Sequence, residues 1–159
     1  MPLRLEYSSA LDVGRARHNN EDAVLIDPSL GLCILADGMG GYNAGEVASD
    51  MATKAMRDSF RQWLLGLTQA PAEAEVAQAL VAAAQEANRQ VFTAANTVAA
   101  YAGMGTTLVA AVFERQHVWI GHLGDSRAYR LRNGRIGQLT RDHSLLQEQV
   151  DAGLLTQEE

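Results

Sequence analysis

The sequence predicts an α+β fold with helices laid against antiparallel sheet, and three observations carry that expectation. Short apolar runs of strand length, at 23–26, 32–36, 107–113 and 117–123, are separated from their neighbours by turn residues rather than by crossover helices. Two longer stretches, from about 44 to 66 and from 76 to 91, repeat apolar residues every three or four positions, the stripe of amphipathic helices. These helices lie together in the middle of the chain instead of alternating with single strands, which is the α+β pattern.

The whole chain sets further bounds. Its 159 residues suffice for one domain with a sizeable core and are too few for two. A composition of 47% hydrophobic and 20% charged residues is that of an ordinary globular protein. The net charge of -6 argues against nucleic acid or an anionic membrane as the main partner, since both demand an excess of Lys and Arg. A small phosphorylated ligand remains admissible. The single cysteine, Cys33, permits no intrachain disulfide, and its place in an apolar run reads as a small buried hydrophobe. No stretch reaches signal-peptide form or the roughly 18 apolar residues of a membrane span, so a cytoplasmic protein is expected.

Taken in order, Leu3, Leu5 and Tyr7 alternate with polar residues and predict a half-buried strand. The segment from Leu11 to Asp22 is polar and irregular, a solvated loop. Ala23 to Ile26 and Leu32 to Ala36 read as strands joined by the turn Asp27-Pro28-Ser29-Leu30-Gly31, an antiparallel hairpin that puts Asp22 and Asp37 at the same end. The second strand is apolar throughout and is expected to be buried on both faces. Beyond it, Gly38, Gly40 and Gly41 allow a sharp turn and a close approach of backbone to a ligand. Helices follow, the first from near Ala44 to Gly66, the second after the polar break at 68–72 with Glu73 and Glu75 at its positive end. A linker from Asn96 to Met104 leads to a four-strand antiparallel meander through Phe113, Leu123, Leu131 and Leu139, with Asn133-Gly134 as a hairpin turn. A helix over 142–152 and a helix start at Thr156 complete the expectation, and the latter suggests a chain that ends as an element begins.

Three acids fall at strand ends beside glycine or small residues: Asp22, Asp37 and Asp125. Asp37 alone is ambiguous, since a carboxylate before a glycine turn serves equally to satisfy turn amides. Carboxylates gathered at one sheet end, without cysteine or paired histidine, suit Mg²⁺ or Mn²⁺ rather than zinc. His18, His117, His122 and His143 show no ligand-like spacing, and His122 reads as a structural histidine. Arg17 beside such a site would grip phosphate oxygens in a fork, which makes phosphoester hydrolysis the natural reaction class.

Five blocks then carry a family resemblance: Arg17-His18-Asn19-Asn20-Glu21-Asp22-Ala23; Ala36-Asp37-Gly38-Met39-Gly40-Gly41 with Gly45-Glu46-Val47-Ala48-Ser49; Gly105-Thr106-Thr107; Gly124-Asp125-Ser126-Arg127-Ala128-Tyr129; and Leu139-Thr140-Arg141-Asp142-His143-Ser144. In content and order they resemble bacterial members of the protein phosphatase 2C (PPM) family. The resemblance implies an α-β-β-α sandwich of two antiparallel sheets flanked by helices, with a binuclear Mn²⁺/Mg²⁺ site that dephosphorylates phosphoserine and phosphothreonine in proteins. By position, Asp37 resembles the carboxylate bridging two metals, the Gly38 carbonyl a ligand of one of them, and Asp125 the aspartate that binds a third, weaker metal. Asp22 and Glu21 resemble acidic partners of the cluster, acting directly or through bound water, and Arg17 the arginine that holds substrate phosphate. Phosphorylated proteins and a serine/threonine kinase are the partners the resemblance implies.

Two features depart from the family pattern. Met39 and Tyr42 stand where histidines often occur, so no leaving-group acid is identified and His18 is a weak candidate. The family's later Asp-Gly and Asp-Asn blocks are not in this sequence. Residues 1–159 are therefore expected to form a single, incomplete phosphatase domain, whose parent hydrolyses phosphoproteins. The alternative is a non-catalytic module that recognises phosphorylated partners.

Overall fold

The hairpin predicted around residues 27–31 is the first regular structure among the described residues. In the computed structural model, which describes residues 4–41, 44–144, 147, 149 and 152, it comprises β1 (Asp22–Asp27) and β2 (Leu32–Met39) in antiparallel register. Its turn is closed by two backbone hydrogen bonds, Leu30 N–H to the Asp27 carbonyl at 3.1 Å and Gly31 N–H to the Pro28 carbonyl at 3.2 Å. Gly31 takes φ +59°, and a Cβ there would lie 2.6 Å from the Phe113 carbonyl oxygen, so both conformation and space require glycine.

Two helices follow, α1 (Ala44–Leu65) and α2 (Glu73–Thr97). Ala48, Ala52, Ala55, Met56 and Phe60 of α1 recur along one buried stripe, and Val76, Leu80, Ala83, Ala87 and Val91 do so along α2. The small alanines bring the helices close together. At the start of α2 the Glu75 carboxylate accepts the Ala72 N–H at 2.6 Å, half of a capping box that alanine cannot reciprocate. Helix continues to Thr97, and a 3-10 turn at Ala99–Tyr101 occupies the linker.

The remaining strands are β3 (Gly105–Thr106), β4 (Leu108–Glu114), β5 (His117–Leu123), β6 (Tyr129–Arg132) and β7 (Arg135–Gln138). The main sheet has the order β1-β2-β4-β5, with β3 paired to the far end of β2. Leu32, Ile34 and Ala36 of β2 and Leu108, Ala110 and Val112 of β4 face the helices and form the core with them. Ile34 is 1% exposed, and burying such a side chain contributes about 1.5–3 kcal/mol.

Three expectations are corrected. No strand forms over residues 4–10: alternation becomes a strand only when a ladder partner is present, and here Tyr7 instead meets Phe113 edge-on with ring centroids 6.2 Å apart. Nor is β2 buried on both faces. Its buried residues alternate with exposed ones, and Leu35 is 39% exposed, because the helices cover one face of the sheet. The meander also breaks after β5, where Gly124 turns at φ +95°, and β6 and β7 form a separate pair. Of the helix predicted over 142–152, residues 142–144 are not helical, Gln147 and Gln149 are, and 145, 146, 148, 150 and 151 lie outside the described residues; Leu3, Tyr42 and the helix start at Thr156 lie wholly outside them.

Candidate active site

The β1–β2 register sets Asp22 directly opposite Asp37, so their side chains rise from the same face, the one turned away from the helices. Two carboxylates brought together in this way each disfavour the other's charge. Asp37 accordingly keeps its proton above the ordinary carboxylate range. Withdrawal from water is the largest cause; the charge and hydrogen bond of Asp22 add to it, Asp125 adds further, and Arg17 opposes it. Asp22, Asp37, Asp125 and Arg17, scattered over more than a hundred positions of sequence, thus act on one point at the end of the hairpin.

The backbone beneath Asp37 is fixed by residues that the sequence reading quoted only as parts of motifs. Asp37 N–H donates to the Thr107 hydroxyl oxygen at 3.0 Å, while its carbonyl accepts Thr107 N–H at 2.9 Å and the Thr106 hydroxyl at 3.0 Å. These bonds fill the gap in the ladder between the β2–β4 and β2–β3 pairings. Thr107 also shares a hydrogen bond with the Ser126 hydroxyl at 2.7 Å, which ties the Asp37 strand to the loop holding Asp125. A Cβ on Gly124 would lie 2.7 Å from the Thr107 methyl, so this loop approaches as glycine alone permits. The legible signal was two adjacent hydroxyl residues next to a glycine and a strand; its meaning required the fold.

Gly38 occupies a comparable constriction. A Cβ there would lie 2.0 Å from the Gly45 carbonyl oxygen and 2.7 Å from that of Glu21. Gly38 N–H donates to the Glu21 carbonyl at 3.0 Å, and the same carbonyl accepts the Ser49 hydroxyl at 2.6 Å. The Glu21 carboxylate itself lies against Gly45 in the first turn of α1, where a helix N-terminus favours negative charge. Glu21 thus braces the junction of hairpin and helix. His18 is exposed, and the segment before it turns at Gly14, φ +75°, with the Asp12 carboxylate accepting Gly14 N–H at 2.7 Å.

Behind Asp125, Arg127 grips Asp142 through three N–H···O contacts of 2.6–3.1 Å, and this holds the Asp142 carboxyl below the usual carboxylate range. His143 N–H donates to the Gly124 carbonyl at 2.9 Å, and its ring stands 4.6 Å from that of His122. His122 Nε2 pairs with the Arg141 carbonyl at 2.7 Å, as suits a structural histidine.

Among the described residues no three His, Cys, Asp or Glu side chains converge as a complete cation cage. The donor set nevertheless fits part of one: two carboxylates opposed across the ladder, with Asp125 adding to their mutual repulsion, are what a hard divalent cation relieves.

The fold places the chain with bacterial serine/threonine phosphatases. Over 93% of its length it superposes on the Streptococcus agalactiae serine/threonine phosphatase with a TM-score of 0.80 and 36% identity, covering 60% of that protein. The catalytic domain of PstP in complex with two manganese ions gives 0.78 and 36% identity, with 92% and 60% covered. In sequence it is 39% identical over 151 residues to the serine/threonine phosphatase stp of Listeria welshimeri, covering 93% of this chain and 58% of that one.

Residues 14–152 match the protein phosphatase 2C family, and the chain belongs to it. The chain spans 58% of the length of the Listeria relatives it matches.

Proposed function

We propose that the protein to which this chain belongs hydrolyses phosphoserine and phosphothreonine in other proteins with Mn²⁺ or Mg²⁺, and that residues 1–159 form part of a single phosphatase domain. The observation that carries this reading is the juxtaposition of Asp22 and Asp37 on one sheet face with Asp125 and Arg17 in electrostatic reach. Family membership and the two manganese ions of the PstP neighbour support it.

In this reading Asp37, Asp22 and the Gly38 carbonyl hold the ions, Asp125 contributes to a further one, and Glu21 supports Gly38 from behind. Bound there, the ions would polarise the phosphoryl group and supply hydroxide at neutral pH. Arg17 binds the phosphate of the substrate and orients it toward the carboxylates. The Thr107 bonds hold Asp37 fixed in place. A serine/threonine kinase acting on the same proteins is the natural counterpart of this activity. A cytoplasmic setting accords with the single unpaired cysteine and with the absence of any membrane-spanning helix among the described residues.

The test uses the protein extended to the length of its relatives. It is expected to hydrolyse p-nitrophenyl phosphate and phosphothreonine peptides with Mn²⁺ and to stop in EDTA. Asp37→Asn should lower turnover by about a hundredfold or more, since even outer-shell changes at metal sites cost 10–100-fold. Arg17→Ala should chiefly raise KM for phosphopeptide. Turnover indifferent to EDTA, or an Asp37→Asn variant as active as its parent, sinks the reading.

A further inference from the structure

The hairpin β6–β7 presents a charge arrangement that the site does not explain. Alternation puts Arg130 and Arg132 on one face of β6, and the register sets Arg132 directly opposite Arg135, so three guanidinium groups share a face. Every residue of both strands is exposed. Like charges directly opposite one another weaken a strand pair, and an isolated two-stranded hairpin has little stability to spare.

Most cations elsewhere in the described chain are paired. Lys54, Arg57, Arg61, Arg89, Arg115 and Arg127 each lie within ion-pair distance of a carboxylate. Arg130, Arg132 and Arg135 form no ion pair among the described residues. In a chain of net charge -6 this face is a local reversal of sign. The three side chains rim a concavity of about 540 Å³ that also includes Gly137. A Cβ at Gly137 would have no atom within 4 Å, so the backbone there is open to an approaching chain.

We propose that this face docks an acidic, extended polypeptide segment, the carboxylate-rich flank of a protein substrate. Guanidinium groups donate to carboxylates in a two-pronged fork, and three on one face match side chains alternating along an extended peptide. Each exposed pair is weak, so docking is the sum of three and is sensitive to salt. The inference rests on the phosphoprotein reading only in calling the segment part of a substrate; the binding needs no turnover.

The experiment measures fluorescence anisotropy of a labelled, unphosphorylated Glu- and Asp-rich peptide with the protein extended to the length of its relatives, in EDTA. Saturable binding is expected at low ionic strength, weakened by added salt. Replacing Arg130, Arg132 and Arg135 together by alanine should weaken it about tenfold or more, while Arg89→Ala leaves it unchanged. Arg135→Glu is the sharper variant: it sets an acid opposite Arg132 and should hold or raise the melting temperature while abolishing peptide binding. Absence of saturable binding overturns the proposal, as does binding unaffected by the triple variant. Equal binding of a Lys-rich peptide, or tighter binding of duplex DNA or phosphatidylserine vesicles, overturns it too. Peptide binding that persists in a preparation lacking Mn²⁺-dependent hydrolysis supports the docking face and counts only against the catalytic reading.

Discussion

Two of the antiparallel hairpins, β1–β2 and β6–β7, end in opposite circumstances. β1–β2 lies under α1, its glycines meet backbone on several sides, and its strand end is held by Glu21, Thr106 and Thr107. β6–β7 stands clear of the core, held at its base by the Leu139 N–H to the Ala128 carbonyl and by the Arg127–Asp142 pair. The first hairpin carries the opposed carboxylates and the second the opposed guanidiniums. Like charges face each other in both, but only the first has surroundings that over-determine its geometry. A site that must hold acids at fixed separation belongs on such a frame. A surface that contacts a variable peptide has no such need.

The largest test of that difference is a methyl group added to each hairpin. Gly38→Ala should destabilise the fold by about 3 kcal/mol or more, because the new carbon meets the Gly45 and Glu21 carbonyls, and backbone cannot swing aside. Gly137→Ala meets no atom within 4 Å and should be neutral or stabilising by up to about 1 kcal/mol. Urea unfolding of both variants measures the gap. Similar midpoints would show that the β1–β2 end is looser than its contacts imply.

The same contrast explains what was legible in the sequence. The hairpin Asp22–Met39, α1 and the paired strands β4 and β5 follow from local pattern: apolar runs, three-to-four spacing and turn residues. Asp22, Asp37 and Asp125 were singled out by their place at strand ends, and their approach follows from register once the hairpin exists. Patterns that needed a partner were misread. Residues 4–7 continue an alternating pattern but have no ladder neighbour, and β6–β7 alternates as β4–β5 does, yet leaves the main sheet at Gly124. Thr107 and Ser126 were out of reach because their hydrogen bonds join segments 70 and 19 residues apart. Nor could pattern distinguish Leu35, open to solvent, from Ile34, buried beneath α1.

A second pair of substitutions sharpens the comparison in the side chains. Ile34→Ala empties a site that is 1% exposed and should cost about 2–5 kcal/mol. Ile136, at 72% exposed, occupies a similar place in its own hairpin, and Ile136→Ala should stay within about 0.5 kcal/mol. Thermal unfolding of both variants distinguishes them. A costly Ile136→Ala would mean that the second hairpin has cover of its own in solution.

The smallest effect concerns the turns. At β6–β7 the turn rests on backbone, with Asn133 and Gly134 at φ +52° and +71°, a pairing that suits a two-residue loop. At β1–β2 the Asp27 carboxylate, with a side chain only 10% exposed, accepts Ser29 N–H and Oγ and pairs with Arg61 of α1, fastening the turn to the helix. The Ser29 bond is the largest cause holding its carboxyl below the usual range; Arg61 adds to this, and burial opposes it. A depressed native pKa means that the unfolded chain takes up the proton first as pH falls. The stabilisation is therefore complete above the unfolded value near 4, and it is lost as pH drops through the lower native value. Asp27→Asn should cost about 1–2 kcal/mol at pH 7, with the deficit shrinking below about pH 4. Asp142 and Glu86 are also held low, so the informative quantity is the difference between wild type and Asp27→Asn across pH, which leaves their contribution out. A difference that stays flat from pH 7 to about pH 2 would show that Asp27 shapes the turn without its charge fastening the hairpin to α1.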